Sequence, residues 1–272
     1  MGLEYRVDGF SATAVWPEAG NTVSKKADRL VGSVAFETGS NCDIGADREG
    51  RSDAGAAAGC SAARVVAYIQ APDFPCIGAR SAVNRKRAKF GEYADLGGGR
   101  DIVRLCADLK AFSEEFPDPG NEPVTFVAMF EQPVASEDDF ETLLWRHLRA
   151  MHDHDRRTFA WDPLVSANPS SEAFSFSIAG RAFFVVGLSP VSSRLSRRAP
   201  MPCLVFNFHN QFEALRTSGK YLGMQKAVRQ RDAALQGSIN PVLARFGEAS
   251  EARQYAGRAV ADDWQCPFRQ HE

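Results

Sequence analysis

The chain has 272 residues, 44% apolar and 10% aromatic, with 32 basic and 34 acidic side chains and a net charge of −2. That length holds one large domain or two small ones and buries a sizeable core. The balanced charge excludes a global electrostatic reason for binding nucleic acid or an anionic membrane, and no apolar run approaches the roughly 20 residues of a membrane helix.

The first twenty residues lack the basic-then-apolar order of a secretory signal. After Met1-Gly2, Tyr5-Arg6 stands where a myristoylation signal ends in Ser or Thr, so a cytoplasmic protein is expected. Residues 38–63, TGSNCDIGADREGRSDAGAAAGCSAA, are rich in Gly, Ala, Ser and Asp without apolar periodicity. They are read as a flexible linker after an N-terminal arm, which divides the chain into 1–63 and a catalytic domain over 64–272.

RVVAYIQ (64–70) reads as a strand. Ile102, Leu105, Leu109 and Phe112 then fall at helical spacing behind an Asp101 cap. VTFVAMFEQ (124–132) is a second strand. Ser136 with Asp139 marks a capping-box start for a helix whose apolar face is Phe140, Leu143, Leu144, His147, Leu148 and Met151. FSFSIAGRAFFVVGL (174–188) predicts a hairpin turning at Ala179-Gly180-Arg181. LVFNF (204–208) is a further strand, followed by helix from Asn210 to about Arg231 with a break near Ser218-Gly219, and a short helix around Glu248 to Tyr255. Irregular alternation of this kind predicts a single α+β domain, a mostly antiparallel sheet flanked by helices.

The six cysteines show no CxxC spacing, which argues against a zinc ribbon or an iron–sulfur cluster. Cys76 and Cys266, in Pro-marked loops, are the candidates for a thiolate ligand, against the plainer reading of small buried side chains. No P-loop, GxGxxG, HExxH or GxSxG motif is present. LGGGRD (96–101) is a turn.

MHDHD (151–155) gathers His152 and His154 with two aspartates. These would suit a non-heme metal only if the helix ends there, since histidines two apart point to different helix faces. A polar helix end is the competing reading. His209 leaves an apolar strand ahead of Asn210-Gln211-Phe212-Glu213, read as an Asx cap with an acid behind it. Two readings stay open there: a satisfied buried histidine, and a fixed imidazole aimed among Phe206, Phe208 and Phe212 as an axial heme ligand requires.

FPCIGARSAVNR (74–85), MHD (151–153), AWDP (160–163), the 174–188 hairpin, LVFNFHNQFEALRTSGKY (204–221), RDAALQGSINPVLARFGEASEARQYAGRAV (231–260) and DWQCPF (263–268) occur in that order. Together, from about Arg64 to Phe268, they resemble the YqcI/YcgG family. The resemblance implies a heme-dependent N-oxygenase of guanidino groups, with L-arginine the best single substrate. The product would be Nω-hydroxy-L-arginine in antibiotic or other specialised-metabolite biosynthesis. It also implies heme b, O2, an external electron donor and an unidentified redox partner, and it leaves a homo-oligomer open. Where many relatives have GLHP at the hairpin's end, this chain has Gly187-Leu188-Ser189-Pro190, so an imidazole there is lost.

His209 is then the first choice for the iron and His152 the second. Arg85, Arg181 and Arg194 are candidate propionate partners, and Glu248, Glu251 and Asp162 are candidate carboxylates for a guanidinium. Two rivals remain: a non-catalytic heme-binding or heme-sensing protein, and a non-heme metal enzyme built on His152 and His154.

Overall fold

The computed structural model describes residues 54–242 and 250–269. The N-terminal arm and the part of the linker before residue 54 lie outside the described residues. Helix α1 spans Ala54–Gln70, so the strand read over 64–70 is a helix, and so are linker residues 54–63. The expected boundary at residue 64 falls inside α1. The reason is periodicity: Val65 and Ile69 are the buried positions, four apart, with Tyr68 half-buried beside them. An alanine-rich run before them favours helix over strand.

Helix α2 (Ile77–Asn84) starts at Cys76, whose Sγ accepts the Ala79 N–H at 3.4 Å. Lys86 takes a positive φ of 57° and reverses the chain into strand β1 (Ala88–Tyr93). Neither α2 nor β1 is signalled by apolar spacing. Helix α3 (Ile102–Glu115) buries Ile102, Leu105, Leu109 and Phe112. Asp101 makes no side-chain cap there; its carboxylate instead accepts the Ala94 N–H at 2.7 Å, tying the end of β1 to α3.

Strand β2 (Thr125–Phe130) is buried throughout. Helix α4 (Glu137–Asp155) begins as expected, with Ser136 Oγ accepting the Asp139 N–H at 3.1 Å. Its six anticipated apolar-face residues are all buried. Strands β3 (Phe176–Ile178) and β4 (Arg181–Leu188) form the hairpin, turning on Ala179 and Gly180 with φ of 52° and 70°. Two left-handed residues match the twist of the flanking strands, so Arg181 belongs to β4.

Strand β5 (Cys203–Phe208) runs directly into helix α5 (His209–Thr217). The cap is Phe208, without a side-chain hydrogen bond, and Asn210 already lies inside the helix. Helix α6 (Tyr221–Gln236) follows, closed by left-handed Gly237, and then the short α7 (Ala252–Tyr255).

The strand order is β1-β2-β5-β4-β3. Only β1 and β2 run parallel; the other neighbours are antiparallel. The α+β expectation holds. Alternation in the central strands sends Phe126, Ala128, Phe130, Val185, Phe206 and Phe208 toward the cluster shared with α3 and α4. Val127, Met129, Leu188 and Cys203 face the opposite cluster with Val65 and Ile69 of α1. The stack of Phe112 on Phe208, centroids 4.7 Å apart and 5° from parallel, anchors the end of β5 under α3. Burying one such ring is worth about 2 kcal/mol.

Candidate functional site

His209 is placed by what lies on either side of it. Phe208 is fully buried and stacks with Phe112 and Phe183. Gln211, also buried, behaves like an extra strand residue. Its Oε1 accepts Val124 N–H and its Nε2 donates to Val124 C=O, both at 3.0 Å. That clamp fixes the first turn of α5 to the start of β2. Phe212 packs against Phe184 of β4, centroids 5.4 Å apart. The imidazole between these anchors keeps 17% exposure.

Its Nδ1 faces Glu251 Oε1 at 3.5 Å, and its Nε2 faces the half-exposed Glu213 at 4.0 Å. Glu251 is only 2% exposed. Its second oxygen, Oε2, accepts Ser175 Oγ–H at 3.1 Å and the Tyr255 hydroxyl at 3.4 Å. Burial raises the Glu251 carboxyl above the usual carboxylate range, and the His209, Ser175 and Tyr255 contacts pull it partly back. Burial likewise pushes the Tyr255 phenol well above its ordinary value, and the neighbouring Glu251 adds to that.

Among the arginines, Arg181 touches Phe208, the residue before His209. Its guanidinium sits 4.8 Å over the Phe208 ring, and Nη1 donates to Pro117 C=O at 3.1 Å. Its Nη2 is buried with no hydrogen-bond partner among the described residues. Arg194 is committed elsewhere: it pairs with buried Asp232 at 2.6 Å and donates to Ser238 Oγ at 3.0 Å. Arg85 is 57% exposed and pairs with Glu122 at 2.8 Å.

The candidate carboxylates separate in the same way. Asp162 is a loop staple whose two oxygens accept Leu164 N–H at 3.0 Å and Ala182 N–H at 2.9 Å. Glu251 is taken up by His209, Ser175 and Tyr255. Glu248 lies outside the described residues.

MHDHD disperses. His152 is buried edge-on against Trp161 and Phe268. Asp153 faces Arg156 at 3.9 Å, and Asp155 turns to the hairpin, its two oxygens 3.0 and 3.1 Å from Ala179 N. Among the described residues no group of three or more His, Cys, Asp or Glu side chains is placed to hold a metal ion. His147, fully buried, accepts Gly97 N–H on Nδ1 at 3.0 Å. Burial pushes the Cys266 thiol up to about 12, which opposes the thiolate that a metal would need. Cys76 Sγ is used as the α2 cap.

Does this arrangement suit a heme? A ligating histidine ordinarily gives its other ring N–H to a carboxylate, which is what Glu251 offers Nδ1. The buried Nη2 of Arg181 suits an anionic oxygen such as a propionate. His209 and Arg181 fit the group; Arg194 and Arg85 are otherwise engaged.

The sequence reading missed Ser175, Tyr255 and Gln211. Glu251 and Tyr255 stand four apart, one helical turn, which is a legible pairing signal. Ser175 carries no such signal, because only the fold brings it to Glu251.

Fold and site define an α+β protein with an imidazole–carboxylate pair seated where a central strand becomes a helix. Residues 65–269 match the YqcI/YcgG family, and the chain belongs to it. It is also 27% identical over 132 residues to a Streptomyces lavendulae protein that carries the provisional name N(omega)-hydroxy-L-arginine synthase DcsA. That match covers 46% of this chain and about half, 49%, of the relative's length. No solved structure matches the chain. Among the described residues no helix is long and apolar enough to cross a membrane.

Proposed function

We propose that this chain is a heme-dependent N-oxygenase that hydroxylates a guanidino nitrogen, with L-arginine converted to Nω-hydroxy-L-arginine as the leading substrate and product. One observation carries the reading: His209, held at the strand-to-helix junction, turns its Nδ1 toward the buried carboxylate of Glu251 at 3.5 Å. The family and the name of the Streptomyces relative supply the reaction class.

His209 would hold the iron through Nε2, and Arg181 would hold a propionate through Nη2. When bound, the heme supplies the activation of O2. One oxygen atom enters the N–H bond of the guanidine. The other leaves as water with two electrons and two protons from an external donor. Phe212 packs on Phe184 in the first turn after His209, and the β5–α5 junction would keep the backbone that carries the imidazole in place.

Expression with a heme supply tests the reading. The expected result is a Soret band that His209→Ala removes or shifts, and a gain of one oxygen on L-arginine by mass spectrometry with O2 and reductant. A Soret band without product would favour a non-catalytic heme protein. Stoichiometric iron or zinc without porphyrin would overturn the heme reading.

A further inference from the structure

The buried Glu251 is placed to do something other than hold substrate. Ser175 Oγ and the Tyr255 hydroxyl both reach Oε2, at 3.1 and 3.4 Å. Oε1 has no hydrogen-bond donor among the described residues, and the imidazole Nδ1 faces it at 3.5 Å. A carboxylate oxygen accepts hydrogen bonds and repels another lone pair. While Glu251 is ionised, the ring nitrogen opposite Oε1 is the one placed to carry the proton, since the Glu213 oxygen near Nε2 is farther away, at 4.0 Å against 3.5 Å.

Tyr255 divides its single hydroxyl proton between Phe183 C=O at 3.3 Å and Glu251 Oε2 at 3.4 Å, while its oxygen is held in place from the hairpin. Its hydroxyl accepts Phe176 N–H at 3.2 Å and lies 3.3 Å from Phe183 C=O. Phe176 and Phe183 are register partners in the β3–β4 hairpin, so the hydroxyl sits between two groups that a regular ladder would join. The direction of the carboxylate is thus inherited from the sheet.

We propose that Glu251 is a positioning residue that holds His209 in the tautomer with its proton on Nδ1 and its lone pair on Nε2, with Ser175 and Tyr255 aligning the carboxylate. A neutral imidazole without such a partner favours the opposite tautomer, and which nitrogen can bind a metal follows from the hydrogen bond the other one makes. The functional consequence rests on the proposed role of His209 toward iron; the tautomer itself does not.

The full-length protein, labelled with ¹⁵N-histidine and expressed under iron limitation, tests this by long-range proton–nitrogen correlation. His209→Gln identifies the ring among the five histidines. The expected pattern is a protonated Nδ1 and an unprotonated Nε2 at neutral pH. Glu251→Leu is expected to move the proton to Nε2, while Glu251→Gln, which keeps a carbonyl acceptor, retains it on Nδ1. After heme loading, Glu251→Leu is expected to weaken retention about 10- to 100-fold.

A wild-type His209 protonated on Nε2 overturns the proposal whether or not the variants fold. Retention of the Nδ1 proton in folded Glu251→Leu does the same. A wild-type protein that shows the Nδ1 tautomer but never a Soret band leaves the positioning role standing and sinks the heme reading instead.

Discussion

Asp155 and Ala179 meet across the end of the sheet: both carboxylate oxygens of Asp155, the last residue of α4, lie 3.0 and 3.1 Å from the Ala179 backbone nitrogen. That contact holds an alanine at φ 52°, where an L-residue is strained by about 1 kcal/mol. Two opposite outcomes follow at adjacent groups. Ala179→Gly is expected to raise stability by about 1 kcal/mol, and Asp155→Ala, which orphans the turn amide, to lower it by about 2 kcal/mol. Urea midpoints for both variants check the signs.

The same contact shows why MHDHD was hard to read from sequence. A dense run of histidines and aspartates is equally a ligand set and a helix end, and only tertiary contacts separate the two. Elements with strong single-face periodicity, α3, α4 and the β3–β4 hairpin, were legible because the buried face sets the spacing. The strand expected at Arg64–Gln70 failed because seven apolar-rich residues fit either period. At the site, His209 was legible from its junction, whereas Ser175 lies 76 residues from the carboxylate it bonds.

His147 gives the fold an acid-sensitive core. Burial lowers its pKa to about 4, against an ordinary value of 6.5. Between those limits the unfolded chain binds a proton that the native state refuses, so stability falls as the pH drops from 6.5 to about 4. The shift corresponds to about 3 kcal/mol at full extent. The raised carboxyls of Glu251 and Asp155 act with the opposite sign. A comparison of wild type with His147→Gln therefore isolates the histidine: the variant should be less stable at pH 7.5 yet lose less on acidification to pH 5. A wild-type slope no steeper than the variant's would show that His147 does not govern this window.

Arg194 and Asp232 form a buried pair at 2.6 Å. Removing Asp232 alone leaves an uncompensated cation, and Asp232→Asn is expected to cost about 3 kcal/mol. Arg194→Met should lower the melting temperature, and combining the two changes should cost much less than the sum of the singles. Because the guanidinium is spent on Asp232 and Ser238, Arg194→Met should leave any Soret maximum where it is. A moved maximum in folded Arg194→Met protein would return this residue to the cofactor.

Arg181 predicts the reverse combination. Its guanidinium lies over Phe208 with Nη2 buried and without a partner among the described residues. A cation held by one carbonyl and one ring face contributes little to folding, and its desolvation is a cost. Arg181→Met, which keeps the apolar stem, is therefore expected to change stability by less than about 1 kcal/mol. If an anionic oxygen of the ligand completes Nη2, the same variant should bind heme about 10- to 100-fold more weakly, as the loss of a charge-assisted hydrogen bond dictates. Heme titration followed at the Soret band, beside a urea melt of the same protein, separates the two quantities. Unchanged heme affinity in a folded Arg181→Met protein would remove the arginine from the site.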